Sequence, residues 1–244
     1  MGFTRGDGGQ HAVMIRLPLL GAAGAAALLV VPASAAAAVT GTLDQKCYSH
    51  IPAGGSEPIV AALSGGTPNA PFQLGAGAPG KAFGSSGSVT GTFDATGSAT
   101  ATLRDVAFPG GSSKPSKGRK VNLSVVDNGA GGAVSSVGSA LVTNLAIDVD
   151  AGPKKARSSR LVSISGTPFA NQALSAFIVK GSSTRVLKRI PLGRSNACGF
   201  ADTKAVVAPP TRTPGSYRLY INAGKTLKKS LALGYAFKIT RTGL

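Results

Sequence analysis

One pattern occurs twice in this chain and limits what it can fold into. Residues 59–74 read IVAALSGGTPNAPFQL, and roughly a hundred residues later 160–174 read RLVSISGTPFANQAL. In each copy an apolar run ends in a Ser-Gly pair (Ser64 and Gly65; Ser165 and Gly166). Thr-Pro follows (Thr67 and Pro68; Thr167 and Pro168), then an Asn and a second apolar run. That is a strand, a bend and a strand. A repeat spaced by the length of one compact domain implies one supersecondary unit used twice, so two similar domains are expected, 36–150 and 151–244.

The first 35 residues belong to neither. After Arg16 comes an uncharged run rich in Leu, Ala and Val, 17–31, then Pro32 and the small-x-small triplet Ala33, Ser34, Ala35. This has the form of a cleaved secretory signal peptide, residues 1–35, with translation starting at Met1 or at Met14. The run is shorter than the ~20 apolar residues that span a bilayer. The mature protein is expected to be secreted, and either extracellular or cell-wall associated without a transmembrane anchor.

Short alternating runs fill the rest. Val39, Gly41 and Leu43 alternate with polar residues, as do Val121, Leu123 and Val125. Residues 89–93 and 99–103 flank the turn signal Asp94, Ala95, Thr96, Gly97 and read as a hairpin. Leu145, Ile147 and Val149 read as the last strand of the first domain, with 150–155 as linker. Tyr235, Phe237 and Ile239 share one face of a final strand, with Lys238 on the other. Residues 75–91, rich in Gly, Ala and Ser, and the polar stretch 109–120 read as mobile or exposed loops. Outside the leader no segment shows sustained helical spacing. The expected fold class is all-β: two tandem immunoglobulin-like β-sandwiches.

The Ser-Gly-x-Pro bend, the Asp-Ala-x-Gly turn at 94–97 and the Pro-Gly-x-Tyr strand start at Pro214 to Tyr217 resemble the Ig-like domains of secreted proteins of high-GC Gram-positive bacteria. The resemblance implies an architecture and an envelope location, and it transfers no catalytic residue. The first domain departs from it by carrying Val121 where the second has Tyr217.

The chain holds two cysteines, Cys47 and Cys198. In an exported chain these most simply form one disulfide, which would join the two domains. Two free or intermolecular thiols are the alternative.

Catalytic chemistry is poorly supplied. His50 is the only His after the leader and Glu57 the only Glu, and no GxSxG elbow is present. A metal triad, a paired-carboxylate site and an activated serine each need more than this. His50 is expected to be an exposed strand-end residue. Gly75 to Gly80 spells GxGxxG, but the following Lys81, Ala82, Phe83 and Gly84 to Gly87 cannot open the helix that a phosphate-binding loop requires. Asp148 and Asp150 are too few for Ca²⁺, which takes six to eight oxygens, and read as solvated strand-end groups. No enzyme activity, cofactor or metal is expected.

Charge is the distinctive bulk property. Residues 36–150 carry seven basic and seven acidic side chains, whereas 151–244 carry seventeen basic residues and one acid, Asp202. Such asymmetry points to an anionic partner. The candidate contact set is Lys154, Lys155, Arg157, Arg160, Arg185, Lys188, Arg189, Arg194, Arg218, Tyr220, Lys225, Lys228 and Lys229, facing an anionic cell-wall or extracellular polymer rich in phosphate or uronate. Without a reading helix, sequence-specific nucleic-acid recognition is not expected. A non-enzymatic binding module is therefore the leading reading. The alternatives are a structural spacer or adhesion protein, and an accessory or inhibitory partner of a secreted enzyme using loop 109–120.

Overall fold

A computed structural model describes residues 38–51, 55–108, 113–150, 158–210 and 213–240. In chain order the strands are β1 (Thr40–Leu43), β2 (Cys47–His50), β3 (Ile59–Ser64), β4 (Pro71–Gly77), β5 (Gly87–Thr92), β6 (Ala99–Leu103), β7 (Arg119–Asp127) and β8 (Ala133–Asn144). They continue with β9 (Ala146–Val149), β10 (Ser159–Ser165), β11 (Ala173–Lys180), β12 (Val186–Arg194), β13 (Ala201–Val206), β14 (Gly215–Ala223) and β15 (Leu233–Ile239). Among the described residues the only helical pieces are two 3₁₀ turns, Thr167–Phe169 and Lys229–Leu231, and no helix is long and apolar enough to cross a membrane. Residues 1–37, which include the expected leader, and most of the expected linker are outside the described residues.

Sheet β1-β3-β6 faces sheet β2-β8-β7-β4-β5, and sheet β9-β10-β13 faces β15-β14-β11-β12. Apart from β2, the second pair repeats the strand order of the first, in the arrangement of immunoglobulin-type sandwiches. Period-two alternation decides which side chains meet inside. Ile59, Leu74, Leu103, Val121, Leu123 and Val125 are fully buried in one cluster, and Val162, Ile164, Ala176, Ile178, Leu219 and Ile221 in the other. β2 has no counterpart among the described strands of the second sandwich. It pairs in parallel with β8, and its Tyr48 enters the first core. Burial and the bond to Asp44 Oδ1 (2.6 Å) push the Tyr48 phenol pKa well above its ordinary value.

Three expectations are corrected. The strand 146–149 opens the second sandwich rather than closing the first: it pairs antiparallel with β10, and Val149 lies in the second core. Runs 87–92 and 99–103 are not a hairpin. β5 pairs with β4 and β6 with β3, so the turn between them carries the chain from one sheet to the other. The stretch 75–91 is not a mobile loop throughout, since Gly75 to Gly77 complete β4 and are buried. A Cβ on Gly75 would come within 2.7 Å of the Phe83 ring, so glycine there lets that ring lie on the strand. As expected, the GxGxxG run opens no helix: its last Gly80 sits in a turn at φ 74°.

The turns show how closely the copies match. Asp94 Oδ1 accepts from the Thr96 hydroxyl and from the Thr96 and Ser98 amides, which holds its pKa below the usual carboxylate range. Asn196 Oδ1 accepts from the Cys198 and Phe200 amides in the same geometry. Gly97 and Gly199 have φ of 75° and 68°, and a Cβ on either would collide with the carbonyl of Gly66 or Gly166 on the neighbouring bend. Cys198 thus occupies the turn position that Thr96 holds in the first copy. At the start of β14 the Tyr217 hydroxyl donates to Thr213 O at 2.6 Å, a tyrosine corner that pins the strand.

The Thr-Pro bends use their donors differently. In the first copy the Thr67 amide and hydroxyl both donate to Asp127 Oδ2, at 2.8 and 2.9 Å, while the Gly129 and Ala130 amides donate to Oδ1. Burial pushes the Asp127 pKa up, but these four bonds outweigh it and hold the carboxyl below its ordinary value. In the second copy the bend reaches into the first sandwich. The Thr167 hydroxyl donates to Glu57 Oε2 at 2.7 Å, its amide donates to Ser49 Oγ at 2.8 Å, and the Ser49 amide donates to the same Glu57 oxygen at 2.9 Å.

That clamp is one part of the junction. Cys47 and Cys198 are bonded, with Cα atoms 5.3 Å apart, and both are buried. A Cβ on Gly118 would sit 2.6 Å from Cys198 Sγ, so glycine admits the bridge. The stretch 113–118 is spent on the same seam. Lys114 O accepts from Asn144 Nδ2, Ser116 O from the Thr143 hydroxyl, and Lys117 O from Asn196 Nδ2, while the Ser116 amide donates to Ser165 Oγ.

Two outcomes are expected. Replacing both cysteines by alanine should lower unfolding free energy by about 2 to 5 kcal/mol in urea titrations, because a very long loop is released in the unfolded chain. Asp127→Asn should cost about 1 to 3 kcal/mol at neutral pH. Since the folded pKa lies below the unfolded one, the Asp127 contribution is complete above about pH 4 and is lost as pH falls through the folded value. The stability curves of wild type and variant should therefore converge in acid.

Candidate functional site

The outer face of β12-β11-β14-β15 gathers most of the surface chemistry of the second sandwich. Its register lines side chains into cross-strand rows. One row is Arg189, Phe177, Tyr220, Gly234; the next is Val186, Val179, Arg218, Ala236; a third pairs Ser216 with Lys238. Phe177 and Val179 point away from the core yet are 2% and 0% exposed. They lie between Arg189, Arg218 and Tyr220, whose apolar stems cover them, and Arg189 Nε donates to Ser175 Oγ at 3.1 Å.

Tyr220 is held from several sides. Arg218 Nη1 donates to its hydroxyl at 3.4 Å, and Lys229 Nζ lies 5.5 Å from its ring centroid. A Cβ on Gly234 would approach the ring to 3.2 Å, so the missing side chain gives the ring its seat on β15. Lys229 Nζ also donates to the carbonyls of Ser182 (3.2 Å) and Ser183 (2.8 Å), bracing the β11–β12 connection. Beside this group runs an open trough of about 510 Å³ bounded by Ser182, Ser216, Arg218 and Lys238, with Ala236 and Phe237 among its lining. The four strands of the sheet contain no Asp or Glu. The matching face of the first sandwich presents Gln73, Thr90, Asn122, Ser124 and Ser139, with Lys120 as the one charged side chain on its strands.

The candidate residues read from sequence separate into groups. Arg189, Arg218, Tyr220 and Lys229 come together on this face. Arg160 does not belong to a surface patch: it is 4% exposed, and its Nη1 donates to Asp150 O at 3.2 Å. Lys188 is half-buried and donates to Val206 O at 2.9 Å, because its pairing with the inward Ile178 turns it toward the opposite sheet. Arg185 is exposed in the β11–β12 connection, and Arg194 at the end of β12. Lys225 and Lys228 lie in the β14–β15 connection, Lys228 lining a separate cleft of about 550 Å³ with Leu145, Pro168, Phe169, Leu231 and Leu233. Lys154, Lys155 and Arg157 are outside the described residues.

Sequence reasoning missed Lys238, Ser182 and Ser216. The alternation around Tyr235 and Phe237 already turned Lys238 outward, but only the pairing of β15 with β14 puts it beside Ser216 and diagonal to Arg218. His50 is half-buried rather than exposed, with Nδ1 2.7 Å from Ser56 Oγ and its ring 6.4 Å from that of Phe108. Asp150 Oδ1 accepts from the Leu161 amide, and Asp148 lies 4.0 Å from Lys114 Nζ. Among the described residues no three His, Cys, Asp or Glu side chains gather as a metal site.

No family model matches the chain, and no curated protein does. Solved structures that align with it include a tetra-tandem repeat from the extending region of a large adhesion protein (16% identity, 85% of this chain and 50% of that one, TM-score 0.28). Others are red sea bream transglutaminase (10%, 84% and 31%, TM-score 0.28) and the YadV chaperone (11%, 81% and 98%, TM-score 0.28). The chain thus spans half the length of the adhesion-protein repeat and under a third of the transglutaminase. Likenesses this distant carry no functional argument.

Proposed function

We propose that this chain is an exported, non-enzymatic binding module whose second sandwich holds an anionic polymer of the cell wall or the extracellular space. One observation carries the reading: Arg189, Arg218, Lys229, Lys238 and Tyr220 share a sheet face free of acids, while the strands on the same face of the first copy carry a single cation, Lys120. Cations set along a trough concentrate field lines and draw in polyanions. A tyrosine among them adds a surface on which apolar parts of a polymer can rest.

Export is supported by the leader composition and by a buried disulfide, which suits an oxidising compartment. The tandem build suits the secreted Ig-like proteins of high-GC Gram-positive bacteria named above. The absence of enzyme activity is supported by the structural work given to the scarce reactive groups: Glu57 clamps the junction, and His50 is tied to Ser56. The same junction favours a second reading, a spacer that holds its sandwiches at a fixed attitude. An accessory role through loop 109–120 is weakened by the use of 113–118 in the seam.

The test is retention of the mature chain on a polyanion support across a salt series. Each neutralised phosphate on a single strand contributes about 0.7 to the slope of log affinity against log salt. Removing three cations as R189A/R218A/K238A should lower that slope by about 2. The charge-matched control R194A/K204A/K225A, off the face, should lower it far less. Equal losses in the two triple variants would make the charge a diffuse adhesive and defeat the reading.

A further inference from the structure

We infer that the trough between Arg218 and Lys238 is a subsite for phosphate esters, and that it prefers them to carboxylates; this rests on the binding reading above. Arg218 and Lys238 are diagonal neighbours on adjacent strands, which places their Cα atoms roughly 7 to 8 Å apart. Both are exposed, and their arms are long enough for the two charged heads to converge on one anionic group between them. The exposed hydroxyls of Ser182, on the β11–β12 connection, and Ser216, at the start of β14, border the same space.

Shape decides between anions. A carboxylate presents its lone pairs in one plane, which a single guanidinium fork satisfies. Donors here come from β14, β15 and the β11–β12 connection, so a planar group turned to one wall leaves another unmet. A phosphodiester sets two charged and two ester oxygens tetrahedrally around phosphorus, so they point to several walls at once, and an Arg–Lys pair with two hydroxyls supplies donors to them. Ala236 and Phe237 add apolar surface for the carbon chain between phosphates. Arg189 and Tyr220, in the neighbouring row, extend the path for a second unit. The ligand class is therefore a flexible polymer of alcohol units joined by phosphodiesters.

The experiment measures affinity of the mature chain for a poly(glycerol phosphate) oligomer and an oligogalacturonate of equal charge number, at one salt concentration. Wild type should bind the phosphate oligomer about tenfold more tightly, the scale of one charge-assisted hydrogen bond. S182A/S216A should bring the ratio to about 1 while uronate binding is kept. Both serines are exposed, so the variant is expected to fold, which its melting curve would verify. Equal wild-type affinities would overturn the phosphate preference and leave the basic-face reading standing. A preference unchanged in S182A/S216A would overturn the subsite. Failure of wild type to bind either oligomer would remove both.

Discussion

The joint between the two sandwiches is centred on a single carboxylate. Glu57, the only glutamate in the chain, accepts from the Ser49 amide and the Thr167 hydroxyl on one oxygen and from Gln45 Nε2 on the other. A charged acceptor bonded by donors of both sandwiches resists separation more than a neutral contact would, because parting them would strand charge-assisted bonds. The Cys47–Cys198 bridge stands near it in the chain at both ends: Cys47 precedes Ser49 on β2, and Cys198 lies in the turn whose carbonyl receives the Gly166 amide. Covalent bond and clamp fasten the two copies at one seam.

A duplicated unit has been put to two uses. Its bend, turn and strand order recur in both copies, but each Thr-Pro bend gives its donors to a different carboxylate, Asp127 within the first copy and Glu57 across the seam for the second. The divergence extends to the outer sheet faces. Mostly uncharged groups and the one cation Lys120 occupy that face in the first copy, while arginines, lysines and a tyrosine occupy it in the second. Cores tolerate little change because they are close-packed, so a sandwich varies at lowest cost on the outward-facing half of its strands.

Much of this was legible in the sequence, and the remainder was hidden for identifiable reasons. Alternation states which residues of a strand share a face, so the inward runs 121–125 and 235–239 could be read directly. It does not state which strand lies alongside. The run 146–149 looked like the end of the first domain until its pairing with β10 placed it in the second, and the turn at 94–97 looked like a hairpin although its flanking strands enter opposite sheets. Register has the same character: Lys238 was visibly outward, but its place next to Ser216 and diagonal to Arg218 depends on a pairing across many residues. Arg160 misled because a cation in a basic segment reads as solvated, whereas this one bonds to Asp150 O beneath the surface. Two cysteines allowed a bridge or free thiols; the matched turns of the two copies bring Cys198 to Cys47.

The account stands on the claim that one sheet face, rather than net charge, engages the ligand. The most direct measurement is a residue-resolved amide titration by NMR of residues 36–244 with poly(glycerol phosphate). The account expects shifts concentrated at Ser182, Ser216, Arg218, Tyr220, Ala236 and Lys238, with the first sandwich silent. Shifts spread over Arg194, Lys204 and Lys225 to the same degree, or centred on the first sandwich, would contradict it.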